Sequence, residues 1–278
     1  MAGTAARAGN IREQANLATL NRRTALVTGS TGGIGEAFAR ALAAQGCKVA
    51  LNGLGDAGAI ERLRAGIARD HGVEVVYEGA NLAKPAEIER MMAAVRARLG
   101  SIDVLVNNAV TRHYAPVEAF PVEKWDEALA VNLSAAFHTI RLALPDMKKR
   151  NWGRIINMSS IHATNVVRER VDYMTTKAAI LGLTKAVALE CAQTGITCNA
   201  LCPGWVLTPH AERQIARLMA EKSLSRELAI EELVSVRQPS GRPITPAEVA
   251  ALGIYLCSDA AANISGAALP IDGAWAVT

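Results

Sequence analysis

The fold is decided by the stretch Thr24-Ala25-Leu26-Val27-Thr28-Gly29-Ser30-Thr31-Gly32-Gly33-Ile34-Gly35. Its first five residues form a short apolar run typical of a buried strand, and the glycines follow where the chain must turn sharply. After the turn, Ile34, Phe38, Ala41 and Leu42 recur with the period of one helix face. A strand, a glycine turn and a helix in this order indicate a nucleotide site, because the backbone can approach a pyrophosphate at the helix N-terminus.

The alternation of strand and helix continues outward from this stretch. Further apolar strands are expected at Lys48–Leu51, Val73–Tyr77, Val104–Val106, Arg154–Met158 and Thr197–Leu201. Helices are expected between them, at Ala59–Ala68, Pro85–Leu99, Trp125–Lys149 and Asp172–Ala192. Apolar strands separated by helices indicate a parallel sheet covered on both faces, and right-handed crossovers make such a sheet doubly wound. The predicted fold class is therefore α/β, a single-domain, Rossmann-like doubly wound parallel sheet.

Two segments lie outside this alternation. Residues 1–23 carry scattered charges without the apolar stretch of a secretory signal, so we expect an N-terminal extension in front of a domain spanning 24–278. The extension is either a plain tail or a segment that packs on a neighbouring subunit. The polar, helical stretch His210–Arg237 begins after a strand's carboxyl end, where such sheets bind ligands. It indicates a lid over a site at about 208–240, with a simple surface helix pair as the alternative.

Composition excludes several classes of protein. Hydrophobic residues make up 50% of the 278 residues, which is enough for one large core. The 30 basic and 26 acidic residues are interspersed, so no nucleic-acid partner is expected. No apolar run approaches the roughly 18 residues that a bilayer crossing needs, so we expect no membrane partner. The five cysteines contain no C-x-x-C pair, which indicates reduced thiols in a cytoplasmic protein and no metal site.

Later motifs place the chain beside a known family. In chain order they are Asn107-Asn108-Ala109 after the fourth strand, Asn132 in the long helix, Ser160, Tyr173-x-x-x-Lys177, and Pro203-Gly204 with Thr208 after the sixth strand. Together with the T-G-x-x-x-G-x-G spacing of Thr28–Gly35, they resemble the short-chain dehydrogenase/reductase family. The resemblance runs from about Thr24 to Trp275, nearly the whole chain.

The resemblance implies a nicotinamide cofactor. The residues it assigns to the cofactor are Gly29, Thr31, Gly33, Ile34, Gly35, Asn81, Leu82, Asn108, Ala109, Tyr173, Lys177, Pro203, Gly204, Val206 and Thr208. A 2′-phosphate needs a nearby cation, and neither the loop Asn52–Asp56 nor Thr31 provides one, so NAD is expected in preference to NADP. The acidic residue that usually grips the ribose diol is also missing, unless Asp56 supplies it.

Two cofactor positions depart from the family. Asn81 stands where an aspartate usually contacts the adenine, and its amide oxygen can still accept a hydrogen bond. Val110 stands where the Asn-Asn-Ala-Gly motif has glycine, and a β-branched residue disfavours positive φ. We therefore expect altered cofactor affinity from the first change and local backbone strain from the second.

The candidate catalytic residues are Asn132, Ser160, Tyr173 and Lys177. Tyr173 and Lys177 are four residues apart on the predicted helix and share a face. An ammonium group one turn away favours the phenolate and lowers a tyrosine pKa that is ordinarily near 10. The resemblance implies that the tyrosine takes the proton of the substrate hydroxyl while the lysine also holds the nicotinamide ribose. It further implies that Ser160 hydrogen-bonds the substrate oxygen and that the Asn132 side chain binds a relay water.

Within the family, the chain resembles the bacterial D-3-hydroxybutyrate dehydrogenases. The stretches that carry this resemblance are 51–57, 120–126, 147–149, 153–158 and 202–206. It implies an anionic small-molecule substrate, (R)-3-hydroxybutyrate converted to acetoacetate. The residues it assigns to the substrate are Arg112, His162, Arg170, Trp205, Gln214 and Trp275. Plain core packing is the alternative for either tryptophan.

Arg112 and Arg170 differ from that group of enzymes, which have glutamine and lysine there. Two guanidinium groups would clamp an anion more strongly and could move specificity to a longer acid or a dicarboxylate. The alternative for each arginine is a solvated loop charge.

Two other functions stay open. One is a reductase or dehydrogenase for another ketone or alcohol, such as a 3-oxoacyl group on acyl carrier protein, whose usual preference for NADP counts against it. The other is a catalytically silent cofactor-binding regulator, which the intact Ser-Tyr-Lys set disfavours. The family resemblance also implies a homotetramer that pairs the helices at Trp125–Lys149 and Asp172–Ala192 and the strand near Leu269–Trp275.

Overall fold

The computed structural model describes residues 20–278. Residues 1–19 of the expected extension, including the question of whether it packs on a neighbour, lie outside the described residues. The last residues of that extension belong to the fold. Leu20 is buried in the core, and the Arg23 guanidinium carbon lies 3.8 Å from the centre of the Trp152 ring.

One parallel sheet organises the described chain. Its strands are β1 Thr24–Val27, β2 Lys48–Asn52, β3 Val75–Glu78, β4 Val104–Asn107, β5 Gly153–Met158, β6 Ile196–Pro203 and β7 Ala268–Ile271. They are ordered β3-β2-β1-β4-β5-β6-β7, and in the register Val27 lies between Leu51 and Val106. From β1 the strands β2 and β3 extend the sheet toward one edge, and β4 to β7 extend it toward the other edge. The strand order therefore switches direction between β1 and β4. The crevice at this switch point, at the carboxyl ends of the strands, is where open α/β sheets bind ligands.

Helices cover both faces of the sheet. They are α1 Gly33–Ala44, α2 Ala57–His71, α3 Pro85–Leu99, α4 Val122–Leu129, α5 Ala135–Arg150, α6 Val171–Glu190, α7 Pro209–Lys222, α8 Arg226–Ser235 and α9 Pro246–Cys257. One core cluster joins Phe38 and Leu42 of α1 to Ile254 of α9, and the other joins Met91 of α3 to Met147 of α5. The predicted doubly wound fold is confirmed.

The long helix expected at Trp125–Lys149 is wrong as a single element. A π-helical segment, Ala130–Ser134, separates α4 from α5. Asn132 is buried in this segment, and its amide oxygen accepts a hydrogen bond from the Thr111 backbone N–H at 2.8 Å. A π turn inserts a residue into the helical repeat, often at a functional site, and a search for the 3.6-residue period does not reveal it.

Helix α9 was not predicted, although its start carries a recognisable signal. Thr245 and Glu248 form a capping box in which each side chain accepts a hydrogen bond from the other residue's backbone N–H. A Thr-x-x-Glu sequence with proline at the first helical position is typical of a helix N-terminus.

The helices expected at about 208–240 are present as the pair α7 and α8, which we call the helical pair. They share a small core of their own, formed by Trp205, Ala211, Ile215, Ala229 and Val234. Thr208 and Ser225 cap the two helices with their side-chain oxygens. None of the helices in residues 20–278 is both long enough and apolar enough to cross a bilayer.

Candidate active site

The glycine turn after β1 needs its glycines for steric reasons. Gly29 has a φ of +62°, and a Cβ atom there would lie 2.7 Å from the Cα atom of Ala109. A Cβ atom on Gly35 would lie 2.2 Å from the Gly29 carbonyl oxygen. The Asn108 amide nitrogen donates to the carbonyl oxygens of Thr28 and Gly29 at 3.0 and 2.9 Å. The turn is thus closed against the end of β4.

A cleft of about 720 Å³ opens above this turn. Its lining includes Gly29, Thr31, Gly33, Ile34, Asn52, Asn81, Leu82, Asn108, Ala109, Val110, Thr208 and Arg213. Gly32 is the N-cap residue of α1 and has no side chain that could cap the helix. The first backbone N–H groups of α1 are therefore available to an anion. Glycines without Cβ atoms, a free helix N-terminus and an elongated cleft at the switch point fit a dinucleotide. The expected cofactor residues therefore lie together.

The two departures from the family motif are accommodated locally. Val110 is not among the described residues with positive φ, so the expected backbone strain is absent and the side chain lies on the cleft wall. Asn81 accepts a hydrogen bond from the Ala83 backbone N–H at 2.9 Å, and its own N–H donates to Glu87 at 2.8 Å. The loop after β3 is thus held in place without the aspartate.

Ser160, Tyr173 and Lys177 meet where β5 ends and α6 begins. All three side chains are buried, and the Ser160 hydroxyl accepts a hydrogen bond from the His162 backbone N–H at 3.1 Å. Lys177 Nζ donates to the Met158 carbonyl oxygen at 2.5 Å and lies 5.6 Å from the centre of the Tyr173 ring. The helical spacing of Tyr173 and Lys177 brings both groups to one end of the same cavity.

Charges around Tyr173 favour its phenolate. Burial would raise the pKa of Tyr173, but the Arg112 guanidinium and then the Lys177 ammonium lower it to about 8. The polar side chains of Ser160 and Arg112 beside the phenol act in the same direction on this pKa. Burial lowers the pKa of Lys177 to about 8, and Arg112 adds to that effect while the phenolate opposes it. The arrangement suits a tyrosine that exchanges a proton near neutral pH.

Asn132 is tied to the loop that precedes Arg112. Its amide nitrogen donates to the Thr111 carbonyl oxygen at 3.0 Å and to the Thr176 hydroxyl at 3.3 Å, in addition to the bond from the Thr111 N–H. The side chain is therefore largely committed to protein groups, which leaves little capacity for the water expected there. Asn132 and Lys177 also line one small internal cavity.

The substrate side of the site is a cavity of about 300 Å³ between the strand ends and the helical pair. All six expected substrate residues line it, together with Ser160, Tyr173 and Lys177. Trp205 Nε1 donates to the Gln214 amide oxygen at 3.0 Å, and the Trp275 ring packs edge-on against His162 at 5.3 Å. Both tryptophans thus shape the cavity, and Gln214 keeps its amide nitrogen as a donor.

Arg112 and Arg170 face the cavity. The guanidinium carbons of Arg112 and Arg170 lie 5.0 and 4.4 Å from the centre of the Tyr173 ring. Arg170 also lies 4.9 Å from the centre of the Tyr114 ring. Arg170 is half-buried and Arg112 is exposed at the mouth of the cavity, so the solvated-loop alternative does not describe Arg170 and describes Arg112 only in part.

Four further residues with aromatic or ionisable side chains line the same cavity without having been predicted. They are Tyr114, Arg168, His210 and Arg237. Arg168 could have been suspected, because it lies two residues before Arg170 in the same loop. His210 and Arg237 carry no local signal, because only the folding of the helical pair brings them over the strand ends.

The two histidines of the cavity are neutral at pH 7. Burial lowers the pKa of His162, and the nearby Arg170, Arg237 and Arg112 lower it further against a hydrogen bond to the Asn165 carbonyl. Burial lowers the pKa of His210 to about 4, with Arg112, Arg213 and Arg170 adding to it. Because His162 Nδ1 lies 2.9 Å from the Asn165 carbonyl oxygen, that nitrogen carries the proton and Nε2 is an acceptor. A bound carboxylate therefore has to be held by the arginines.

Comparisons with known proteins agree with this geometry. A protein-family model described as Enoyl-(Acyl carrier protein) reductase matches residues 29–275. The D-beta-hydroxybutyrate dehydrogenase of Cupriavidus necator is 49% identical over 92% of this chain and 98% of its own length. That of Rhizobium meliloti is 45% identical over 91% and 98%. The crystal structure of L-sorbose reductase from Gluconobacter frateurii, complexed with NADPH and L-sorbose, superposes with a TM-score of 0.90 at 27% identity, covering 94% of this chain and 99% of that one.

Proposed function

The chain belongs to the short-chain dehydrogenase/reductase family, and on that premise we propose that it is an NAD-dependent dehydrogenase that interconverts (R)-3-hydroxybutyrate and acetoacetate. The observation that carries the proposal is the position of Ser160, Tyr173 and Lys177 at the end of a cavity walled by arginines. Such a cavity combines a proton acceptor with cations for a carboxylate. Two relatives that share almost half of this sequence are named D-beta-hydroxybutyrate dehydrogenase.

The cofactor residues are the expected ones: the glycine turn Gly29–Gly35, Asn81 and Leu82, Asn108 and Ala109, and the segment Pro203–Thr208. When bound, the nicotinamide supplies the hydride acceptor. NAD is favoured because the loop 52–56 offers no cation to a 2′-phosphate, while Asp56 places a carboxylate there as the cap of α2. The Thr31 hydroxyl donates to the Leu54 carbonyl oxygen at 3.2 Å and adds no charge.

The protein's own residues divide the proton chemistry between them. The Tyr173 oxygen takes the proton of the substrate hydroxyl, and Ser160 donates a hydrogen bond to the substrate oxygen as charge develops on it. Lys177 keeps the phenolate accessible and holds the nicotinamide ribose. Asn132 fixes Thr111, and through it the loop that carries Arg112.

Binding of the substrate carboxylate falls to the cationic wall. Arg112 and Arg170 can each donate two N–H groups to a carboxylate, and the Gln214 amide nitrogen offers a further donor. His162, Trp205 and Trp275 then enclose the short carbon chain. This division explains how one small acid can be oriented beside Tyr173.

We also propose a cytoplasmic homotetramer. Phe137 on α5 is 49% exposed and Leu189 on α6 is 79% exposed in the single chain, which leaves apolar surface on the two helices of the expected interface. Light scattering should give four times the 29.4 kDa mass of the chain. A monomer mass at micromolar concentration would contradict the proposal.

The function is tested by following NADH formation with a panel of compounds. The panel contains both enantiomers of 3-hydroxybutyrate, the methyl ester of the R form, and a neutral secondary alcohol. We expect the R acid to be oxidised most efficiently. Reduction of an acetoacetyl thioester with NADPH, without oxidation of any hydroxy acid, would support a 3-oxoacyl reductase in its place.

A further inference from the structure

Resting on the proposed oxidation of a 3-hydroxy acid, we propose that the preferred substrate carries a second anionic group. The chemical class is a 3-hydroxy dicarboxylate, with one carboxylate near Arg112 and Arg170 and the other held by Arg237.

The first observation is the charge of the cavity wall. Four arginines line it: Arg112, Arg168, Arg170 and Arg237. No Asp or Glu in the described part of the chain lines this cavity or forms an ion pair with any of the four. Glu169, between Arg168 and Arg170 in the sequence, is exposed and does not line the cavity. Buried Asp172 accepts a hydrogen bond from the His113 backbone N–H and does not line the cavity either. A monocarboxylate leaves most of this charge uncompensated.

The second observation is that two of these cations are partly shielded from water. Arg170 and Arg237 are both half-buried. The Arg170 Nε atom is buried and has no hydrogen-bond partner among residues 20–278. Arg170 and Arg237 line the same cavity. Burial lowers the pKa of Arg237, and the like charge of Arg170 lowers it further. Like charges in such a place are costly unless an anion bridges them.

The third observation separates two anion positions. The guanidinium carbons of Arg112 and Arg170 lie 5.0 and 4.4 Å from the centre of the Tyr173 ring, so both reach a carboxylate beside the reacting carbon. Arg237, just after α8, is not among the described cations that lie over this ring, and it donates to the Leu233 carbonyl oxygen at 2.6 Å. A second carboxylate on the substrate would therefore pair with Arg237.

The cofactor does not account for these charges. The cleft that fits the dinucleotide is lined by Arg112 and Arg213. Arg168, Arg170 and Arg237 line the substrate cavity and not the cofactor cleft, and Arg168 and Arg170 also line an adjacent groove together with Glu169. We therefore assign their positive charge to substrate binding.

The experiment compares kcat/KM for 3-hydroxyglutarate, (R)-3-hydroxyadipate and (R)-3-hydroxybutyrate with the full-length enzyme and NAD. We expect at least one dicarboxylate to exceed 3-hydroxybutyrate by about tenfold or more, the size of effect typical of one desolvated charge contact. Glutarate should likewise inhibit 3-hydroxybutyrate oxidation at a lower concentration than butyrate does.

Variants of Arg237 test whether this cation causes the preference for a dicarboxylate. Arg237→Met should lower kcat/KM for the dicarboxylate by about tenfold or more and change that for 3-hydroxybutyrate much less. Arg237→Lys, which keeps the charge, should retain most of the preference and so separates charge from folding. Arg217→Met, on an exposed residue of α7, is the matched control and should behave as wild type.

The outcomes are distinguishable from failure of the proposed function. If 3-hydroxybutyrate is oxidised at least as efficiently as both dicarboxylates, and glutarate inhibits no better than butyrate, the second-anion proposal is overturned while the dehydrogenase proposal stands. If no hydroxy acid reduces NAD, the proposed function itself fails, and unequal binding of glutarate and butyrate to the NADH complex still decides the anion preference.

Discussion

Replacing Arg112 by glutamine should move the acidic limb of the pH–rate profile to higher pH. Tyr173 must be deprotonated to take the proton of a substrate hydroxyl, and the pKa of Tyr173 is lowered to about 8 chiefly by Arg112 and then by Lys177. Loss of the guanidinium charge favours the protonated phenol, so this pKa rises. Loss of a carboxylate contact lowers kcat/KM at every pH, and the raised pKa adds a further loss below the limb, so activity at low pH falls more than activity at high pH.

The size of the shift follows from the distance and the exposure. Arg112 lies 5.0 Å from the centre of the Tyr173 ring. At that separation, an effective dielectric constant between about 20 and 40 gives roughly 1.7–3.3 kcal/mol, or about 1–2 pH units. Because Arg112 is exposed and partly screened by solvent, we expect about one unit. At pH 7 this corresponds to about a tenfold loss in the rate of oxidation.

The assay is kcat/KM for (R)-3-hydroxybutyrate oxidation across the pH range. This parameter reports the pKa of Tyr173 in the enzyme without bound acid, where no substrate carboxylate screens the charge of Arg112. Arg112→Lys keeps a cation and should show a smaller shift. Arg217→Gln removes an exposed arginine of α7 and should show none. An acidic limb that stays in place in Arg112→Gln would refute the reasoning that Arg112 sets the proton affinity of Tyr173.

Three further outcomes are expected. Tyr173→Phe should lower turnover by about 10²–10⁴-fold, because the proton acceptor is lost, while fluorescence titration still shows NADH binding; near wild-type turnover would contradict the mechanism. The ratio of kcat/KM values should favour NAD over NADP, because no cation lies in the loop 52–56, and a higher value for NADP would reverse the assignment. Arg170→Met should raise KM for 3-hydroxybutyrate by an amount equivalent to about 2–5 kcal/mol, with a much smaller effect on a neutral alcohol. An equal change for both compounds would show that Arg170 makes no contact with the carboxylate.

The features that could be predicted from the sequence depend on residues that lie close together along the chain. The glycine turn Thr28–Gly35 lies between a strand and a helix. A Cβ atom on Gly29 or Gly35 would clash with neighbouring backbone, which explains why glycine is required there. Tyr173 and Lys177 share a helix face through their spacing alone, so their meeting was predictable. The apolar strands were found to within two residues of their ends, because burial on both faces makes each one a continuous hydrophobic run.

Helix α9 was missed although its capping box is a local signal, whereas the other missed features depend on contacts between distant segments. Val110 was expected to strain the backbone because a family motif has glycine there, yet the structure reaches the cleft without a positive φ. The π segment around Asn132 is stabilised by bonds to Thr111, which lies 21 residues earlier in the chain and on another element. No periodicity within the helix itself contains that information.

The cationic cavity shows the same limit most clearly. A sequence displays arginines one at a time, and an exposed arginine on a loop or at a helix end is ordinarily solvated. Arg112 follows β4, Arg170 precedes α6 and Arg237 follows α8, so only the doubly wound sheet and the helical pair together bring the three guanidinium groups to one cavity. Burial lowers the pKa of both His162 and His210, and Arg112 and Arg170 lower both further, which keeps two other cavity side chains neutral. The proposed specificity for an anion therefore depends on how the helical pair packs over the strand ends, whereas the proposed proton chemistry of Tyr173 and Lys177 depends on the spacing within one helix.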